Sequence, residues 1–123
     1  MSRIHLLVAL ILLILPGVAH ADGDAALLSP TDAWAEAESG RVVIIDIRNS
    51  PEWAWTGVAR GAARASWWQV PGGNGFLDDV LAIVGNQRSR AIALICARGV
   101  RSSAAAAFLR ANGFTNVRDI GEG

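Results

Sequence analysis

Apolar positions along this chain change period repeatedly, and each change marks an element. Ser29-Pro30-Thr31-Asp32 reads as a helix start, with Ser29 as N-cap, Pro30 at N1 and Asp32 at N3, near the positive end of the helix dipole. That helix is expected to run to about Ser39 and stop at Gly40. Residues 42–47 form a β-branched apolar run of the length a strand buried on both faces requires. Ser50-Pro51-Glu52 opens a short second helix by the same logic, with Ser50 as cap and Pro51 at N1. Residues 62–65 read as a short edge strand, and 71–75 as a loop on composition alone. Phe76, Leu77, Val80, Leu81 and Val84 recur at helical spacing, and Gly85 is the expected stop. Residues 91–95 form a second buried strand that ends at Cys96. A polar loop over 97–101 follows, then an alanine-rich helix over 102–112. Gly113 closes it, and 117–120 make a last strand.

Strand-like and helix-like periods therefore alternate, the pattern of an α/β domain built around a parallel sheet. No repeat or linker divides the chain, so one domain is expected. The first 21 residues stand apart. Arg3 supplies a positive start, 6–15 is an apolar run of ten, Pro16-Gly17 breaks it, and Ala19-His20-Ala21 offers a small-x-small cleavage site. That order predicts a secretory signal peptide cut after Ala21. A membrane span needs about 20 apolar residues, twice what is present. The domain would then occupy 22–123, in the periplasm or outside the cell, with no membrane attachment after cleavage.

Charge sharpens the picture by exclusion. The 11 basic residues, all arginine, balance 11 acidic ones and are scattered. A nucleic-acid binder shows a basic excess on one face, so no nucleic-acid partner is expected. Both histidines, His5 and His20, fall in the leader, which removes a Cys-His dyad. No metal and no cofactor is expected, and no phosphate-binding glycine motif is present. Of the five tryptophans, Trp34 reads as core on its helix. Trp53, Trp55, Trp67 and Trp68 read as packing residues, and none is assigned a site.

The chain has one cysteine. In an oxidising compartment an unpaired thiol is either buried and inert or reactive. Cys96 ends a strand and precedes a glycine-containing turn and a helix, and ligand sites of open parallel sheets lie at the carboxyl ends of strands. Helix N-termini carry about half a positive charge, loop amides can converge into an anion-binding nest, and Arg98 and Arg101 lie close by. Such surroundings lower a cysteine from about 8.5 to roughly 3.5–7.5, so Cys96 is expected to titrate well below a free thiol. The plainer alternative is a small apolar residue finishing a strand, since free cysteines are often buried.

Cys96-Ala97-Arg98-Gly99-Val100-Arg101-Ser102 resembles the active loop of rhodanese domains, C-x-x-G-x-R-S. Asp46-Ile47-Arg48 resembles the family's D-x-R, and Pro51-Glu52-Trp53 the segment that follows it. Gly57 and Gly61-Ala62 lie where that family has G-H-I-P-G-A, although Val58-Ala59-Arg60 departs from its His-Ile-Pro. Gly113-Phe114-Thr115-Asn116-Val117 is similar to its approach to the last strand. The resemblance implies a three-layer rhodanese-like fold, a short central parallel sheet flanked by helices on both faces. It also implies a glycine-rich turn, a tryptophan and a helix beyond Gly123, so the domain reads as truncated or curtailed at that end.

By the same resemblance, Cys96 is a nucleophile that takes sulfane sulfur from thiosulfate or another persulfide donor. It then passes the sulfur to a thiol, to cyanide or to a protein acceptor. Ala97, Arg98, Gly99, Val100 and Ser102 would cradle the persulfide. Arg101 would brace the loop or meet the anionic donor, and Asp46, Arg48 and Glu52 would support it as a carboxylate–guanidinium network. Two other functions compete. Phosphatases of related fold use C-x₅-R, but the sixth position here is Ser102, and Arg101 comes at the fifth. A non-catalytic sulfur carrier or interaction module needs the same persulfide, and the motif does not separate it from an enzyme.

Overall fold

The computed structural model describes residues 27–67 and 75–121. The leader, its cleavage site, Trp68 and most of the glycine-rich loop at 71–75 lie outside the described residues. The chain runs β1 (Leu27–Leu28), α1 (Pro30–Glu38), β2 (Val43–Asp46), α2 (Ser50–Thr56), β3 (Ala63–Arg64), α3 (Gly75–Ile83), β4 (Ile92–Ile95), α4 (Val100–Ala111) and β5 (Val117–Ile120). All strand pairs are parallel, in the order β1-β5-β4-β2-β3. The expected α/β, three-layer architecture is what is found.

The strand order explains the layers. Connections β1→β2 and β2→β3 cross the sheet in one direction, and β3→β4 and β4→β5 return. Right-handed crossovers then place α1 and α2 over one face and α3 and α4 over the other. Side-chain alternation fills both faces. Ile45, Ile47, Ile92, Leu94 and Val117 pack with Phe76 and Val80 of α3 and Ala105, Ala106 and Leu109 of α4. Ile44, Ala93 and Ile120 point the other way, onto Ala33 and the half-buried Trp34 of α1. Each fully buried Ile or Leu contributes roughly 1.5–3 kcal/mol, so the two central strands β2 and β4 anchor the domain.

The two capped helices differ in how their starts compare with the sequence reading. At α1, the Asp32 N–H donates to Ser29 Oγ at 3.2 Å, as expected. At α2 the cap is Asn49 rather than Ser50. The shift by one makes Glu52 the N3 residue, whose carboxylate accepts the Asn49 N–H at 2.8 Å, half of a capping box.

Two further expectations are corrected, and one strand is added. β1 was not foreseen, because two residues carry no readable period. α4 begins at Val100, two residues earlier than expected, since Gly99 turns the chain directly into the helix. Trp55 is 89 % exposed rather than packed. Trp67 does pack, edge-on to Phe76 at 5.0 Å and tilted on Phe108 at 5.3 Å.

Candidate active site

Strand order reverses between β2 and β4, which makes the carboxyl ends of these strands the crevice where open sheets bind ligands. Cys96 stands there, one residue past β4. The turn after it depends on Gly99, which sits in the left-handed region at φ 80°, ψ −11° and forms the N-cap of α4. A Cβ at such a φ costs roughly 1–2 kcal/mol. The turn brings two backbone donors onto one atom: the N–H of Gly99 reaches Cys96 Sγ at 3.0 Å and that of Ser102 at 3.4 Å. Ser102 is the N3 residue of α4, whose N–H an N-cap side chain ordinarily takes. Glycine has no such side chain, so the sulfur occupies that place.

Burial alone would push the Cys96 thiol up. The Ser102 hydroxyl and then the backbone N–H groups of Ser102, Arg98 and Gly99 outweigh it, and the net shift is below the ordinary thiol value. Cys96 is only 2 % exposed, yet it lines a cleft of ≈ 340 Å³ together with Glu52, Ala97, Arg98, Val100 and Arg101. Cys96 therefore belongs both to the apolar core and to the wall of this cleft.

The charged residues singled out from the sequence come together in two ion pairs. Arg101 donates from both terminal nitrogens to the two oxygens of Glu52, each at 2.7 Å. Two such bonds fix a guanidinium plane as a single bond does not. This pair joins the first turn of α4 to the first turn of α2 across the cleft. Glu52 is held at about 2, by Arg101 first and by the Asn49 N–H second. Arg48 forms the other pair, with Asp46 at 2.8 Å, and also donates to the Gly57 carbonyl at 2.7 Å. It thus ties the end of β2 to the far end of α2. Arg98 is exposed on the rim of the cleft.

The sequence reading passed over one buried acid. Asp119, on β5, is 7 % exposed, and its Oδ1 lies 2.5 Å from the Ser102 hydroxyl. Burial pushes its carboxyl up, against the opposing pull of the Ser102 hydrogen bond and the Arg110 charge. A signal was available. Val117 and Asp119 share one strand phase, so an acid there falls on the core face.

A cysteine sulfur cradled by amides at a strand-to-helix turn, on the switch point of a parallel sheet, defines an α/β domain with an amide-lined cysteine loop. The rhodanese-like domain family model matches residues 29–123, and the chain belongs to that family. A search of curated proteins returned no match. Among solved structures, the chain is 25% identical to the 30 kDa polysulfide-sulfur transferase homodimer of Wolinella succinogenes, with a TM-score of 0.59 over 84% of this chain and 76% of that one. It is also 25% identical to RPA3614 of Rhodopseudomonas palustris, described as a protein of unknown function and possible tyrosine phosphatase, with a TM-score of 0.55 over 82% and 79% of the two chains. Rv0390 of M. tuberculosis shares the fold at 24% identity and a TM-score of 0.61, over 79% of this chain and 77% of that one.

Proposed function

We propose that this protein is a sulfurtransferase that carries sulfane sulfur on Cys96. The observation that carries this reading is the convergence of the Gly99 and Ser102 N–H groups on Cys96 Sγ at a helix start. Preorganised donors of this kind stabilise charge where it develops. Family membership supports it, as does the likeness to a polysulfide-sulfur transferase.

With thiosulfate as donor, the Cys96 thiolate attacks the sulfane sulfur. A new S–S bond forms, the old one breaks, and sulfite leaves with the bonding electron pair. The persulfide anion remains on the loop. An acceptor thiolate or cyanide then attacks the terminal sulfur and regenerates the Cys96 thiolate. Charge balances in both steps without a proton changing hands. Gly99 and Ser102 hold the anion through the cycle, Ala97 and Val100 wall the cleft, and exposed Arg98 attracts the anionic donor. Arg101 braces the loop through Glu52, and Asp46 with Arg48 fixes the neighbouring turn.

The C-x₅-R phosphatase reading lacks its arginine at the sixth position, and both terminal nitrogens of Arg101 are engaged by Glu52. We place the protein in the periplasm or outside the cell, where N-terminal sequencing of the secreted product is expected to begin at Asp22. Intact-mass measurement after thiosulfate treatment tests the central claim. One added sulfur atom is expected on the wild type and none on Cys96→Ser. An unchanged wild-type mass overturns it. A persulfide that forms but turns over poorly with cyanide, while passing readily to one protein, identifies a carrier instead.

A further inference from the structure

The Ser102 hydroxyl has one proton and three acceptors within reach. Cys96 Sγ lies at 3.3 Å, the Gly99 carbonyl at 3.1 Å and Asp119 Oδ1 at 2.5 Å. One proton cannot serve a thiolate and a carboxylate together. With Asp119 ionised, Ser102 donates to the carboxylate, and its oxygen accepts the proton of a neutral Cys96 thiol. With Asp119 protonated, the carboxyl donates to Ser102, whose own proton turns to a Cys96 thiolate. The two arrangements contain the same atoms and the same total charge. They differ by a proton moved along the chain of two hydrogen bonds.

We propose that Cys96 and Asp119 share one proton through the Ser102 hydroxyl, so that the sulfur anion and the Asp119 carboxylate exclude each other at neutral pH. All three side chains are buried, at 2 %, 0 % and 7 % exposure for Cys96, Ser102 and Asp119. Two anions joined by one hydroxyl in such a place are costly. Among the described residues no ion pair neutralises Asp119. Arg110 of α4 is the cation that acts on it, and that side chain donates to the Val117 carbonyl at 2.7 Å. On the sulfur side, Arg101 is the facing cation, and Glu52 of α2 holds it. The upward displacement of Asp119 by burial points the same way. Asp119 is thus a positioning residue. It stores the thiol's proton inside the fold, and the anion passes through both transfer steps without exchanging that proton with solvent.

The role in transfer rests on the sulfurtransferase reading, but the shared proton does not. Coupled groups titrate as a pair, and each shifts the other by an equal amount. Alkylation of Cys96 with iodoacetamide in weakly buffered solution at pH 7 counts the proton directly. Once sulfur is capped as a neutral thioether, Asp119 is free to ionise. The wild type is expected to release about one proton per chain, and Asp119→Asn, whose thiolate has no competitor, close to none. Equal release from the two proteins overturns the proposal.

If Asp119→Asn fails to fold, Cys96→Ser reads the same coupling from the other end. The midpoint of Asp119, followed by carboxyl-carbon NMR, is expected to fall in Cys96→Ser. An unmoved midpoint overturns the proposal. A wild type that takes no sulfur from thiosulfate, yet keeps its proton release, overturns the sulfurtransferase reading and leaves the shared proton standing.

Discussion

Helices α1 and α4 each follow a strand of the sheet, and they solve the same problem in opposite ways. At α1 the N3 N–H finds its acceptor three residues back, on the Ser29 hydroxyl at 3.2 Å. At α4 the N-cap is glycine, and the N3 N–H goes six residues back to Cys96 Sγ at 3.4 Å. The Ser29 cap is local and chemically inert, and its helix packs Ala33 and Trp34 onto the sheet. The cap of α4 is the sulfur of Cys96, the nucleophile proposed above. A backbone donor that most helices satisfy cheaply and locally is here left open, and the sulfur that fills the gap gains negative character in return. On the proposed reading, reactivity in this fold arises at a helix start whose usual cap is missing.

The sharpest way to break that contrast is to give α4 a side chain at its cap. Gly99→Ser meets a left-handed φ and is expected to cost roughly 1–2 kcal/mol in urea-unfolding free energy. Relief of the strain would swing the Gly99 N–H off the sulfur, and about a tenfold slower alkylation of Cys96 at pH 7 is expected, as one lost charged hydrogen bond implies. Unchanged alkylation would show that the turn's amides do not set reactivity.

The matching change at the ordinary helix is Ser29→Ala. It is expected to lower stability by about 1 kcal/mol and to leave the alkylation rate as it was. A change in thiol reactivity there would mean that the two helix starts are not independent.

A smaller effect sharpens the role of the brace. Glu52 stands at about 2 in the fold against an ordinary 4.5. A depressed carboxyl contributes stability that is complete above its unfolded value and disappears as pH falls through its folded value. The Glu52–Arg101 pair should therefore weaken from about pH 4.5 downward and be gone near pH 2. The pair is partly solvated, so its contribution is about 0.5–1 kcal/mol. Glu52→Gln should flatten that part of the pH–stability curve, as read by thermal unfolding. A wild-type slope retained in the variant would assign the acid sensitivity to another group.

Much of this was legible in the residues themselves. Strands β2 and β4 announced themselves as β-branched or apolar runs, and Ser29-Pro30 placed α1. Glu52 and Arg101 were visible as candidates, although 49 positions separate them, because both lie in short motifs. What escaped notice depended on three-dimensional context. The cap of α2 moved from Ser50 to Asn49 because Glu52 reaches backward to the N–H of position 49, a preference that neither cap residue reveals alone. α4 started early because a glycine torsion decided the matter. Asp119 was overlooked because one acid in a short strand looks like a surface residue until its neighbour across the core is known.

The pair that bridges α2 and α4 has a consequence for the order in which the molecule assembles. Its partners come from opposite layers of the sandwich, so the crevice between them is complete only when both faces of the sheet are covered. A chain caught with one layer undocked would expose its sulfur before the bracing guanidinium arrived. In the oxidising compartment proposed for the protein that interval is a hazard, which rewards fast, concerted closure of the two layers.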